Sequence, residues 1–374
     1  MEGRPLPSPA VTTLAAARVI TPQGVLAPGV VELDGGRIAA VAPTSGPVPD
    51  RTLAPGLIDL QVNGHDDVDV VSATGADWDR LDALLAAQGV TGWCPTLVTA
   101  PLDAYALPLA RIASAATRDG PRPAVLGAHL EGPFLGDRPG AHPPGLIRPP
   151  DAAWLTALPP IVRIVTLAPE VPGALAAITA LRHRDVVAAL GHSEASYEVA
   201  VDAADAGARL VTHGFNAMSG LGHRAPGLVG AALADDRLAV SLIADLVHVH
   251  AAALTVAFRS KPRDRAILVT DAVAWRSERF AALGRVNHDG AAPRLVEGKL
   301  AGSALTLDRA VANVVDRCGV ALDHAVAAAS TNPADLLGLA DRGRLAPGAR
   351  ADVVAFGPAR SAEATWIAGT QVHG

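Results

Sequence analysis

Four residues of this chain stand where chemistry is expected: Glu131, His192, His213 and Asp271. Each ends a short apolar run, as in Ala128-His-Leu-Glu131, Ala189-Leu-Gly-His192, Leu210-Val-Thr-His213 and Ile267-Leu-Val-Thr-Asp271. One carboxylate and two imidazoles make a familiar catalytic metal set that leaves a position open for water and can bring that water's pKa to about 7. A further carboxylate beside the set can take a proton from water and return it to a leaving amine, the role expected of Asp271. Each residue has a plainer reading as well. A histidine after a strand is commonly a loop residue, and Asp271 could cap a helix starting at Ala272. The recurrence favours the metal site, because a carboxylate buried at the end of an apolar strand needs a compensating charge.

Such residues meet only if their strands run parallel and share one rim. Eight apolar segments qualify, at 57–63, 92–98, 124–131, 161–168, 186–192, 210–213, 239–245 and 266–271. Amphipathic helices are expected between most of them, over 76–88, 104–117, 173–183, 196–206 and 251–259, with closing helices at 304–315, 321–329 and 333–339. The alternation predicts an α/β fold, a (β/α)8 TIM-type barrel over residues 53–340. Residues 1–52 and 341–374 read as short strands with Pro-Gly turns, and neither piece is large enough to bury a core alone. They are expected to pair into one small β-sandwich. Two insertions, 136–150 after the third strand and 275–302 after the eighth, fall on the active-site face of such a barrel, the second as a flap or small hairpin.

Composition narrows the partners. Half the residues are hydrophobic, 18% are charged and only 3% are aromatic, so Ala, Val and Leu must fill the core. A net charge of −6 without basic blocks argues against nucleic acid and anionic membranes. Cys94 and Cys318 are too few and too far apart for a disulfide framework, and read as buried, reduced thiols of a cytoplasmic protein. After Met1-Glu2-Gly3-Arg4 comes Pro5, Pro7 and Pro9 rather than an apolar signal segment, so neither export nor membrane insertion is expected.

Other residues invite a ligand less strongly. His142 follows Glu131 in the 136–150 loop, and His248 follows the seventh strand. Either could donate to a carbonyl or phosphate oxygen, and either could be a surface histidine. Arg224 in Gly222-His-Arg-Ala-Pro-Gly227 could clamp a phosphate, and Asn216-Ala217-Met218 could offer backbone N–H groups to the same anion.

Taken in order, these segments resemble the N-acetylglucosamine-6-phosphate deacetylase family of the amidohydrolase superfamily. The resemblance runs through Pro55-Gly-Leu-Ile-Asp-Leu-Gln-Val-Asn-Gly64, His129-Leu-Glu-Gly-Pro133, Leu167-Ala-Pro-Glu170, Gly191-His-Ser193, Phe215-Asn-Ala-Met218, Leu268-Val-Thr-Asp271, Ala301-Gly-Ser-Ala-Leu305 and Leu345-Ala-Pro-Gly348. It implies that Glu131, His192 and His213 bind metal, that Asp271 is the acid/base, and that His142 faces the scissile amide carbonyl. It also implies that Asn216, Ala217, Arg224 and His248 hold the sugar phosphate, in a homodimer where Arg224 could serve its own site or the partner's. Many amidohydrolases carry His-X-His at the end of the first strand for a second metal. Here Gln61-Val-Asn63 stands there, which looks like the one-metal branch, with Gln61 and Asn63 as vestigial second-metal positions and His65 as a loop residue. The family usually has glycine where Leu246 stands and often Asp where His250 stands.

The expected reaction is therefore metal-dependent hydrolysis of N-acetyl-D-glucosamine 6-phosphate to D-glucosamine 6-phosphate and acetate, in amino-sugar catabolism and cell-wall recycling. One divalent ion per subunit is expected, zinc foremost, with iron, cobalt and manganese also compatible with nitrogen and oxygen ligands. Two alternatives keep the barrel: an amidohydrolase for another N-acyl sugar phosphate, small amide or cyclic amidine, and a non-catalytic binding or assembly protein.

Overall fold

Eight parallel strands follow one another around a barrel in sequence order: Leu57–Val62, Val90–Val98, Ala128–Glu131, Val162–Leu167, Val187–Leu190, Leu210–Val211, Ala239–Ile243 and Ala266–Val269. The computed structural model describes residues 11–282, 287–288 and 292–374. The prolines at positions 5, 7 and 9 lie outside the described residues, as does part of the 275–302 segment. Within that segment the described pieces include an antiparallel pairing of Asn287–His288 with Pro293–Arg294.

The barrel is closed between its eighth and first strands by side chains as much as by backbone. Val62 and Ala272 form a parallel bridge, and Asn63 N donates to Ala272 O at 2.8 Å. Below them, Thr270 Oγ1 donates to Asp59 Oδ2 at 2.6 Å, while Gln61 N donates to Asp59 Oδ1. Burial pushes the Asp59 carboxyl up to about 7, against the lowering effect of these hydrogen bonds. Its folded pKa thus exceeds the unfolded value of 3.8, so the folded chain holds the extra proton between about pH 4 and 7. Stability from this group declines as pH rises through that window. Asp59→Asn should accordingly gain in Tm relative to the parent protein between pH 5 and pH 8, and an unchanged difference in thermal melts would contradict the burial argument.

Every residue of the first strand and all but Val98 of the second are buried, as expected of a parallel sheet covered by helices outside and filled by side chains within. The covering helices Ala76–Ala86, Ala106–Ala116, Ala174–Arg182, Tyr197–Ala206 and Ala251–Ser260 lie where the apolar spacing put them. Three features differ from expectation. The third strand is interrupted: Ala124–Val125 and Ala128–Glu131 flank Gly127, whose φ of 139° disfavours any other residue and where an added Cβ would fall 2.1 Å from the Arg163 side chain. The strands before His192, His213 and Asp271 stop at Leu190, Val211 and Val269, so these residues sit just past the strands. Finally, helices Ala152–Thr156 and Gly227–Ala234 were not expected. In the second, Gly227 through Leu233 are all buried, so it has no polar face to reveal a helical period.

The chain termini build two sheets around a second core. One has three strands, Thr12–Ala16, Gly29–Asp34 and Arg37–Pro43. The other has six, in the order Thr370–His373, Ala362–Ile367, Val353–Phe356, Thr52–Pro55, Arg18–Thr21 and Gly24–Leu26. Leu14, Val31, Ile38, Leu53, Val353 and Trp366 share the apolar interior. Thr52–Pro55 pairs antiparallel with the C-terminal strand and parallel with the N-terminal one, then leads through Gly56 into the first barrel strand.

Candidate active site

Glu131 is the last residue of its strand, in register with Val98 on one side and Thr166 on the other. That register carries its carboxylate to the carboxyl-terminal mouth of the barrel, where it is only 3% exposed. His192 Nε2 lies 2.9 Å and His213 Nε2 2.8 Å from Glu131 Oε1, and the two nitrogens are 3.1 Å apart. His142 joins from the loop after the third strand, with Nε2 3.8 Å from the same oxygen. The structure therefore brings four of the sequence-derived candidates onto one atom.

The hydrogen bond behind the ring of His192 sets which nitrogen faces the cluster. His192 Nδ1–H donates to Arg138 O at 2.9 Å, so in the neutral ring Nε2 aims a lone pair at a carboxylate oxygen. A pair at that distance is held either by a ring proton, which makes Nε2–H a donor to Glu131, or by a metal ion that both atoms ligate. Nitrogen and carboxylate donors converging with a ring fixed from behind are the arrangement of a divalent first-row metal site. Glu131, His142 and His192 offer ligand atoms all within 4.8 Å of one another. His213, closer still to Glu131, completes the cluster, and its Nδ1 is buried without a partner among the described residues. Burial by itself raises the Glu131 carboxyl, but hydrogen bonds from His142, His192 and His213 outweigh it and hold the group well below the usual carboxylate range.

Asp271 stands next to this cluster and is held by two amides. Asn63 Nδ2 donates to Asp271 Oδ1 at 2.7 Å, and Gln61 Nε2 donates both to Asp271 Oδ1 at 3.1 Å and to Glu131 Oε2 at 3.2 Å. Gln61 and Asn63 thus turn hydrogen-bond donors toward the carboxylates. Loss of hydration, reinforced by the Glu131 charge, pushes the Asp271 carboxyl up to about 8. A cation held by the neighbouring Glu131, His192 and His213 would reverse that balance and favour the ionised form.

The backbone at these positions is strained. His192, His213 and Asp271 have φ of 52°, 34° and 49°, the left-handed region that L-residues seldom adopt. The turn is sharp enough to swing each side chain from the strand end over the barrel mouth.

The residues assigned to the phosphate are more scattered. Phe215 and Ala217 also have positive φ, at 77° and 48°, a backbone that folds N–H groups toward a common point. Asn216 N and its amide both donate to His213 O, so its side chain braces the loop, whereas the Ala217 N–H has no partner among the described residues. Arg224 is exposed and makes no side-chain hydrogen bond among the described residues. His248 is bonded through Nδ1 to Asp245 Oδ2 at 2.6 Å. Leu246, where the resemblance expects glycine, has φ of 67°, so a bulky residue occupies a glycine-favouring backbone.

Supporting residues that sequence reasoning passed over include Thr99, whose Oγ1 lies 2.8 Å from His142 Nδ1, and Ser303, whose N–H donates to Asp271 O at 2.9 Å. Glu170 accepts from Ser193 Oγ and from Glu194 N, both at 2.7 Å, fixing the turn after His192. Ser303 and Glu170 lie in the segments Ala301–Leu305 and Leu167–Glu170 that carried the resemblance, so a signal was present without a role attached.

Fold and site together define a class: the chain belongs to the amidohydrolase family, whose profile matches residues 52–373. Within that family its similarities narrow to deacetylases of amino-sugar phosphates. It is 39% identical over 345 residues to the N-acetylglucosamine-6-phosphate deacetylase of Homo sapiens, covering 86% of this chain and 83% of the relative. It is 40% identical over 369 residues to the N-acetylgalactosamine-6-phosphate deacetylase of Escherichia coli O157:H7, covering 95% of this chain and 98% of the relative. Among solved structures, a mutant N-acetyl-D-glucosamine-6-phosphate deacetylase from Mycobacterium smegmatis, in complex with N-acetyl-D-glucosamine-6-phosphate, superposes with a TM-score of 0.90 at 33% identity. That match covers 98% of this chain and all of the other.

Proposed function

We propose that this chain hydrolyses the acetamide of N-acetyl-D-glucosamine 6-phosphate, releasing acetate and D-glucosamine 6-phosphate. The observation that carries the reading is the pairing of a Glu131–His192–His213 cluster with an amide-held Asp271 at one barrel mouth, in a chain whose relatives are deacetylases. Glu131, His192 and His213 would hold one divalent ion, zinc foremost, since His142 lies about an ångström further from the shared oxygen. Gln61 and Asn63, which present N–H groups to the carboxylates, support a single ion rather than two. When bound, the ion supplies Lewis acidity to the acetyl carbonyl and acidifies water.

Asp271 takes a proton from the attacking water as its oxygen adds to the acetyl carbon. His142 Nε2 donates to the oxyanion that develops on the former carbonyl oxygen, with Thr99 holding the ring from behind. The carbon–nitrogen bond then breaks as Asp271 returns its proton to the sugar nitrogen, leaving acetate and a free amine. The sugar phosphate is held by the Ala217 N–H, His248 and Arg224, with Asn216 bracing that loop. Arg224 reaches outward from an exposed loop, which fits a homodimer in which it serves the partner's site.

A phosphate held by a guanidinium makes a clear prediction: Arg224→Ala should raise KM for the 6-phosphate on the order of tenfold or more, while barely changing the slow turnover of plain N-acetylglucosamine. Equal kcat/KM for the two sugars in the parent protein would remove the phosphate assignment, and release of ammonia instead of acetate would remove the reaction.

One observation favours a second reading. The Escherichia coli O157:H7 relative, matched over nearly its whole length, acts by its name on the galactosamine epimer. Side-by-side kcat/KM values for the two N-acetylhexosamine 6-phosphates decide between the readings without altering the chemistry above.

A further inference from the structure

We propose that Asp245 is a positioning residue for His248, fixing which ring nitrogen meets the sugar phosphate. This rests on the reading that His248 faces that phosphate. Asp245 lies two residues beyond the seventh barrel strand, Ala239–Ile243. One of its oxygens, Oδ1, accepts the N–H groups of Val247 at 2.9 Å and His248 at 2.8 Å. The other, Oδ2, accepts His248 Nδ1–H at 2.6 Å. The two side chains are each only 6% exposed, so this short bond is shielded from competing water. Asn313 Nδ2 donates to Ala244 O at 2.8 Å and pins the strand end from the opposite side.

One carboxylate thus performs two tasks: it folds the turn, with Leu246 in left-handed backbone at its apex, and it claims the inner ring nitrogen. Nε2 is left as the nitrogen that meets a ligand. Loss of hydration opposes the Asp245 charge, but the hydrogen bond and charge of His248 hold the carboxyl below its usual range, so it is ionised as this role requires. A buried carboxylate on Nδ1 orients the ring and stabilises the positive charge it carries when a phosphate oxygen approaches Nε2.

Asp245→Asn separates the two tasks. The amide oxygen can keep both backbone N–H groups, which leaves the NH2 group facing His248 Nδ1. That nitrogen must then accept, and the ring proton moves to Nε2. Turn and fold survive and Nε2 keeps a proton to donate, so the binding lost is the part that the carboxylate supplied by favouring the charged ring. Asp245→Asn should raise KM for the 6-phosphate on the order of tenfold and leave kcat within about twofold. In a His248→Ala background the same substitution should add nothing. An equal effect in both backgrounds would mean that Asp245 merely supports the turn, and would overturn the proposal. A raised KM in His248→Ala beside an unchanged one in Asp245→Asn would overturn it alone, leaving the phosphate reading intact. An unchanged KM in His248→Ala would remove the placement of His248 at the phosphate, and the proposal with it. Should Asp245→Asn fail to fold, nitrogen NMR of the parent protein decides: a protonated Nδ1 on His248 supports the pairing, and an unprotonated one defeats it.

Discussion

Asp271→Asn should lower kcat on the order of 10²–10⁴-fold while leaving KM within a few-fold. The substitution is nearly isosteric, and its amide oxygen can still accept from Asn63 and Gln61, so the site should keep its shape and its metal. In the proposed reaction it loses the group that would take a proton in one half and give it back in the other. Steady-state kinetics with metal content measured on the same samples provide the check. Near-normal turnover in a fully loaded Asp271→Asn protein would assign the proton transfers elsewhere. The pH profile carries the sign of the same argument. Asp271 must be ionised to act as base, so activity falls as pH drops through its working pKa. Without a cation, loss of hydration and Glu131 push that pKa to about 8. With one bound, the acid limb should lie below 8, and ion uptake near neutral pH should release a proton measurable in weakly buffered solution.

Glu131→Gln should be damaging by a different route, through the ion itself. His192 and His213 converge on one oxygen of this carboxylate, whose charge would offset that of the ion. A neutral amide there leaves two imidazoles aimed at a site that no longer attracts a cation. Metal content should fall to near zero, and activity by on the order of a thousandfold or more. Elemental analysis separates this from a simple kinetic defect. A variant that keeps stoichiometric metal yet loses turnover would reassign Glu131 from holding the ion to the chemistry itself. Chelation of the parent protein should reproduce the loss, and readdition of zinc, iron, cobalt or manganese in turn should identify which ion restores it.

Much of this arrangement was legible in the sequence because barrels write their function at strand ends. An apolar run that stops at Glu131, or at Gly191-His192, announces both a buried strand and a polar group at its exit, and the structure places these groups within about 3 Å of one another. Local signals did less well where a residue acts through backbone. Nothing in the composition of Leu190-Gly-His192 or Val211-Thr-His213 marks a left-handed turn at a histidine, since such turns are normally flagged by glycine or asparagine. The helix Gly227–Ala234 escaped because an element buried all round has no amphipathic period, and its two glycines argue against a helix when read alone. Thr99, Glu170, Asp245 and Ser303 were invisible as supports for a different reason. Their partners lie on other strands or loops, or three residues along a turn, and only the folded chain shows which hydrogen bond each one makes.

The left-handed residues at the barrel mouth have a consequence for anyone selecting hardier forms of this protein. Holding a histidine or aspartate in that region costs on the order of 1–3 kcal/mol at each position, and glycine in its place would release most of the cost. A screen that rewards heat resistance alone is therefore drawn toward replacing His192, His213 and Asp271, and its most durable winners would be inert. Survival and turnover must be scored together, because in this barrel they pull on the same three residues in opposite directions.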